Sequence, residues 1–142
     1  MRIIVGTLCV AIGGLLYVGQ AISVANLSLA QRLGLQERPD HADRLFTVLE
    51  IRTAAWDLLS LWTLPLAGVF MLMDHSWWPY MAIVGGAFWL DTAGREGSKW
   101  LGLRQLGVRL GSGGGRLTYW GGVALIFAIG ALALGVGLAE VV

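Results

Sequence analysis

Charge is scarce in this 142-residue chain: 13% of residues are Asp, Glu, Lys or Arg, and the formal net charge is +1. So even a balance gives no overall pull toward nucleic acid, and no nucleic-acid partner is expected. Cysteine is nearly absent. The single Cys9 lies inside an apolar run, which excludes a disulfide framework and a cluster of thiolate ligands. The two histidines, His41 and His75, fall in different connecting segments, and Asp40, His41 and Asp43 read as a solvated helix start. No nucleophile stands beside a base, and the glycines from Gly111 to Gly115 lack the lysine and strand of a phosphate loop. Neither cofactor nor metal is expected, and the balance leans away from an enzyme.

Apolar residues are abundant instead, at 56% of the chain with a mean hydropathy of +0.70. A hydrocarbon core about 30 Å thick needs roughly 20 apolar residues per helical span. Four runs meet or approach that length, near 3–25, 53–73, 77–93 and 117–139, and they leave little for a soluble domain. The first run has only Arg2 in its charged leader and is long for a signal peptide, although Ser23-Val24-Ala25 has a small-x-small pattern; it is read as a span. The fold class expected is an all-α, four-transmembrane-helix bundle forming a single integral membrane domain.

Orientation follows from Lys and Arg. Arg32, Arg38, Arg44 and Arg52 lie in segment 26–52, and Arg95, Lys99, Arg104, Arg109 and Arg116 lie in segment 94–116. Those two segments are therefore expected to be cytoplasmic, with both termini outside, in a bacterial cytoplasmic (inner) membrane. Trp77, Trp78 and Tyr80 suit the outer interface, and Trp56, Trp89, Tyr119 and Trp120 the inner one. Leu27, Ala30, Leu33 and Gly34 suggest that span 1 extends helically past the membrane. Pro39 should break that extension, and Asp40 with Asp43 should cap the next helix. The cations from Arg95 to Arg116 interleave with Trp100, Leu101, Leu103, Leu106, Val108 and Leu110, an amphipathic makeup suited to anionic headgroups; Arg95, Lys99, Arg104, Arg109 and Arg116 are the candidate lipid contacts.

Ionisable residues within spans are the candidates for function, because a carboxylate in hydrocarbon is costly unless paired or hydrated. These are Asp57 and Asp91. Spans 2 and 3 form a hairpin about Asp74–Ser76, so residues equidistant from that turn lie at similar depth. The rule pairs Asp57 with Arg95, Arg52 with Glu96, and Glu50 with Lys99; Asp91 and Arg95 also form an i,i+4 pair. Gln20 reaches a comparable depth. These eight residues form the candidate polar cluster, either locking the hairpin or lining a cytoplasm-facing cavity. Pro65 removes one backbone hydrogen bond in span 2 and is expected to kink it, freeing the Leu61 carbonyl for Ser60, Thr63 or water.

Small residues mark sites of close helix approach: Gly6, Gly13 and Gly14 in span 1, Gly85 and Gly86 in span 3, and Gly121, Ala124, Ala128, Ala131, Gly135 and Ala139 in span 4. With so little interior, the chain is expected to act as an accessory subunit of a membrane complex or as a homo-oligomer. A small transporter or channel around Asp57 and Asp91 is the alternative. The outline of four spans, outward termini and a charged start of span 2 carrying Glu50, Arg52 and Asp57 resembles the membrane-associated eicosanoid and glutathione metabolism family. That family places Arg, Asn and Glu at short helical spacing in its second span, and no asparagine lies near Glu50, Arg52 and Asp57. The resemblance implies a membrane enzyme of glutathione or lipid type, with Arg52, Asp57, Arg95 and Arg116 as the positions to consider.

Overall fold

The first helix, α1 (Arg2–Ala25), has no proline to interrupt it and ends where Asn26 leaves helical geometry. Asn26 then caps α2 (Leu27–Arg32), its side chain accepting the Leu29 N–H at 3.0 Å. The extension of span 1 is thus a separate six-residue helix. Gly34, at φ 73, turns the chain out of it. The computed structural model describes all residues, Met1–Val142, and continues with α3 (Arg44–Asp57), α4 (Thr63–Leu72), α5 (Trp78–Gln105) and α6 (Gly113–Val141). The protein is all-helical, with no strand and one isolated bridge between Ala42 and Leu110. Two helices, α1 and α6, are long and apolar enough to cross a membrane.

Four rods alternate in direction. Arg2 pairs with Asp74, so the start of α1 meets the turn between α4 and α5, and Gly137 of α6 approaches the Pro79 carbonyl at that same end. At the far end Asp43 bonds Arg109, joining the start of α3 to the segment before α6. Helix α1 packs on α4, α4 on α5, and α5 along α6. The main core gathers Cys9, Leu61, Leu64, Met71, Trp89, Ile129 and Ala133. A smaller core at the far end holds Ala42, Phe46, Trp100 and Leu103.

The second rod is broken rather than kinked. Residues 58–62 form turns between α3 and α4, three to seven residues ahead of the proline expected to bend a continuous helix. Proline at 65 leaves the Leu61 carbonyl without its usual partner. The indole Nε1 of Trp89 donates to that carbonyl at 3.3 Å, from a neighbouring helix rather than from Ser60 or Thr63. Those hydroxyls serve other carbonyls: Ser60 Oγ lies 3.5 Å from the Asp57 oxygen, and Thr63 Oγ1 donates to Ser60 at 2.6 Å. Trp89 is fully buried, so its indole packs in the core and does not face the surroundings of the bundle.

Three further expectations change at the far end. Asp43 occupies the N-cap position of α3, but its carboxylate makes no cap hydrogen bond because Arg109 engages it. The apolar residues of the stretch from Arg95 divide: α5 continues to Gln105, and Trp100 and Leu103 are buried in the smaller core while Leu101 and Leu106 stay exposed. The glycines at 113–115 are the first turn of α6, capped by Ser112 Oγ accepting from the Gly115 N–H.

Close approach is made by a partly different set of small residues. A Cβ on Gly68 would lie 2.7 Å from the Gly6 carbonyl oxygen, and one on Gly86 would lie 2.7 Å from the Gly130 oxygen. Gly13 and Gly85 also sit in contacts, whereas Gly14 has nothing within 4 Å. On α6 the packing residues are Gly130, Ala133 and Gly137. The stripe Gly121, Ala124, Ala128, Ala131, Gly135 and Ala139 is exposed.

Candidate functional site

A layer of charge lies between the two cores. Asp57 closes α3 and is 1% exposed; Arg95 Nη2 reaches it from α5 at 2.5 Å and also bonds Thr92 Oγ1 at 3.2 Å. A carboxylate at a helix C-terminus opposes the helix dipole, so the guanidinium offsets both that and the desolvation. On the side of the smaller core, Lys99 Nζ bonds Glu50 of α3, lies 2.6 Å from Glu96 Oε2 and donates to Thr53 Oγ1 at 3.2 Å. From α6, Tyr119 Oη stands 2.8 Å from Glu96 Oε2. Three rods therefore meet in one polar network.

The candidate residues divide. Asp57, Arg95, Glu50, Lys99 and Glu96 come together, including two of the three pairs drawn from the hairpin. Arg52 is exposed and pairs with nothing, its expected partner Glu96 being held by Lys99 and Tyr119. Asp91 is 69% exposed, with its carboxylate 3.7 Å from Arg95 Nε. Gln20 makes no side-chain hydrogen bond; the polar contact from α1 is Tyr17 Oη to the Leu58 carbonyl at 3.3 Å. Of the positions implied by the family resemblance, Asp57 and Arg95 touch, Arg52 stands exposed, and Arg116 lines a separate groove with Trp100 and Arg104. Arg104 stacks over the Trp100 ring at 5.5 Å.

A cavity of about 320 Å³ adjoins the network, with Glu50 and Tyr119 in its wall. Its other walls bring Arg32, Arg38 and His41 from the α2–α3 connection to face Ser112 and Thr118 of α6. Glu37 is the residue sequence reasoning missed here. Its carboxylate lies over the first turn of α6, so close that a Cβ on Gly115 would fall 1.5 Å from Glu37 Oε1. An acidic side chain at a helix N-terminus complements the positive end of the dipole, and only glycine leaves it room. The signal was the Gly-rich start of α6 behind its Ser112 cap.

Asp43 ties the start of α3 to the segment before α6. Its carboxylate accepts the Arg109 N–H at 2.8 Å and Arg109 Nε at 3.0 Å, and its own N–H donates to the Arg109 carbonyl at 2.9 Å. The Arg109 backbone N–H, then its guanidinium, hold the Asp43 carboxyl below the usual carboxylate range. A depressed folded value means the tie is complete above the ordinary carboxylate range and is lost as pH falls through the folded value. Amide hydrogen exchange at Asp43 and Arg109, corrected for intrinsic rates, is expected to accelerate on acidification. Asp43→Asn should show the faster exchange already at neutral pH.

Comparison with known proteins finds no match to this chain among family models, curated proteins or solved structures.

Proposed function

We propose that the chain is a four-span membrane protein without catalytic chemistry of its own, serving as a small subunit of a membrane assembly or as a homo-oligomer. The spans in this reading are α1, the broken α3–α4 rod from about residue 53, α5 to about residue 93 and α6 from about residue 117, with both termini on the non-cytoplasmic side of a bacterial inner membrane. The concentration of Lys and Arg in segments 26–52 and 94–116 supports that orientation. Anionic headgroups beside Arg104, Arg109 and Arg116 are the lipid partners.

The observation that carries the assembly role is the outer face of α6. That helix buries Ile129, Gly130, Ala133 and Gly137 against the bundle, while the second series, Gly121, Ala124, Ala128, Ala131, Gly135 and Ala139, is exposed. In lipid, helices associate through close backbone approach and not through a hydrophobic drive, so an outward stripe of small side chains suits a second helix better than it suits acyl chains. The test is the mass of the native particle after mild detergent extraction, for the parent chain and for Ala128→Leu. A defined complex or oligomer that dissociates in the variant is expected. A monomeric parent chain, or an assembly indifferent to Ala128→Leu, overturns the reading.

The cavity beside Glu50 favours a second reading, a small transporter with a cytoplasm-facing polar site. Proton- or cation-dependent flux in vesicles that is lost in Glu50→Gln would support it.

A further inference from the structure

Lys99 is shared between two carboxylates. Its ammonium contacts Glu50 and Glu96, and none of the three side chains is more than 15% exposed. Arg95 is shared likewise between Asp57 and Asp91, of which only Asp91 reaches solvent. Among the buried groups, then, three carboxylates (Glu50, Asp57 and Glu96) face two cations. No other cation forms an ion pair with these three carboxylates. Tyr119, from α6, is a neutral donor to Glu96. Arg52 on α3 is exposed and unpaired. Arg32, Arg38 and His41 line the cavity together with Glu37, whose carboxylate is 3.8 Å from His41 Nδ1. Glu96 Oε1 is buried with no hydrogen-bond partner, so one corner of the cluster lacks either a proton or a donor.

Carboxylates that share one cation away from water do not all stay ionised, and their protons belong to the pair rather than to one residue. We propose that the Glu50–Glu96 pair, bridged by Lys99, is a proton-binding site that holds one proton at neutral pH and exchanges it through the cavity walled by Glu50 and Tyr119. The proton is the third cation of the cluster. Its loss leaves two ionised carboxylates on one ammonium and weakens the junction of α3 with α5 and α6. Burial pushes the Glu50 carboxyl up, Lys99 opposes the rise and Glu96 adds to it. For an acid whose folded value is raised, the contribution to stability is present below the unfolded value and is lost as pH rises through the folded value.

Infrared spectroscopy of the full chain in mild detergent tests the site. The parent protein is expected to show a protonated-carboxyl C=O band at neutral pH that vanishes on alkalinisation and shifts promptly in heavy water. Glu50→Gln and Glu96→Gln should each abolish it, since either leaves one carboxylate for one ammonium. No such band in the parent protein at neutral pH overturns the proposal, and that measurement needs no variant. A band that persists in either variant, or resists heavy water for hours, overturns it as well.

Discussion

Replacing Arg95 with methionine is expected to destabilise the chain by about 3–5 kcal/mol, the range for removing one partner of a buried ion pair. The size follows from what is left behind. Asp57 is 1% exposed, closes α3, and has Arg95 as its only ion-pair partner. Without it an ionised carboxylate remains between the rods at the negative end of a helix dipole. Asp57→Ala should cost less, because Arg95 is 28% exposed and retains Asp91 and Thr92. The double variant Arg95→Met with Asp57→Asn is expected to recover most of the loss, since an isosteric pair without charge removes the desolvation along with the attraction. Unfolding in a graded denaturing detergent, followed by circular dichroism, measures all three. Arg95→Met within 1 kcal/mol of the parent chain, on that order-of-magnitude scale, would mean that water reaches Asp57.

The ion pairs of this layer were legible from the sequence because a tight hairpin is a ruler. Once Asp74–Ser76 is recognised as its turn, Asp57 falls at the depth of Arg95 and Glu50 at the depth of Lys99, and both pairs form. Depth along a rod is set by counting residues; rotation about the rod is not. Arg52 shares the depth of Glu96 yet points outward, and Tyr119 arrives from α6 to take the position expected of it. Gln20 fails for the same reason: its depth suits the layer, but Tyr17 is the polar residue of α1 that bonds across to the second rod.

The break at residues 58–62 was half legible. Proline announces a missing hydrogen bond, but not who replaces it, and the replacement is the indole of a residue 28 positions away. Trp89 reads as an interfacial anchor because tryptophan is enriched there; a buried carbonyl in need of a donor outweighs that preference. At the far end the sequence pattern was misleading in a consistent way. Cations interleaved with Trp100 and Leu103 suggest a surface helix, whereas those apolar side chains close a second core with Phe46 and Ala42 over the charged layer. A bundle end sealed by aromatics gives the same local composition as an amphipathic segment on a leaflet.

The glycine pattern leads to the second large effect. Gly86→Leu is expected to separate α6 from the bundle while leaving the α1–α4 contact intact. A Cβ there would fall 2.7 Å from both the Gly130 oxygen and the Leu134 nitrogen, and 2.9 Å from Leu134 Cβ. Two of those three atoms are backbone, so no side-chain rotation makes room and the helices must move apart. Overpacking of this kind costs about 1–3 kcal/mol in a core able to adjust, and the α5–α6 seam has no such slack, because Gly130 approaches the Gly86 oxygen in return. Since α6 relies on α5 for nearly all its packing, the loss is local and large. Spin labels on cysteines at the exposed positions Phe88 of α5 and Leu132 of α6, in a background with Cys9→Ser, should report one narrow distance in the parent chain and a longer, broader distribution in Gly86→Leu. Gly14→Ala is the matched control, with nothing within 4 Å of the added carbon, and is expected to keep or raise stability by up to about 1 kcal/mol through helix propensity. Detachment of α6 also withdraws Tyr119 from Glu96 and opens the wall of the cavity beside Glu50, so the same variant should make the buried carboxyl pair freely accessible to solvent. If the parent distance survives in Gly86→Leu, α6 is held by something other than the close backbone approach at Gly86 and Gly130, and the seam is not the determinant of its position.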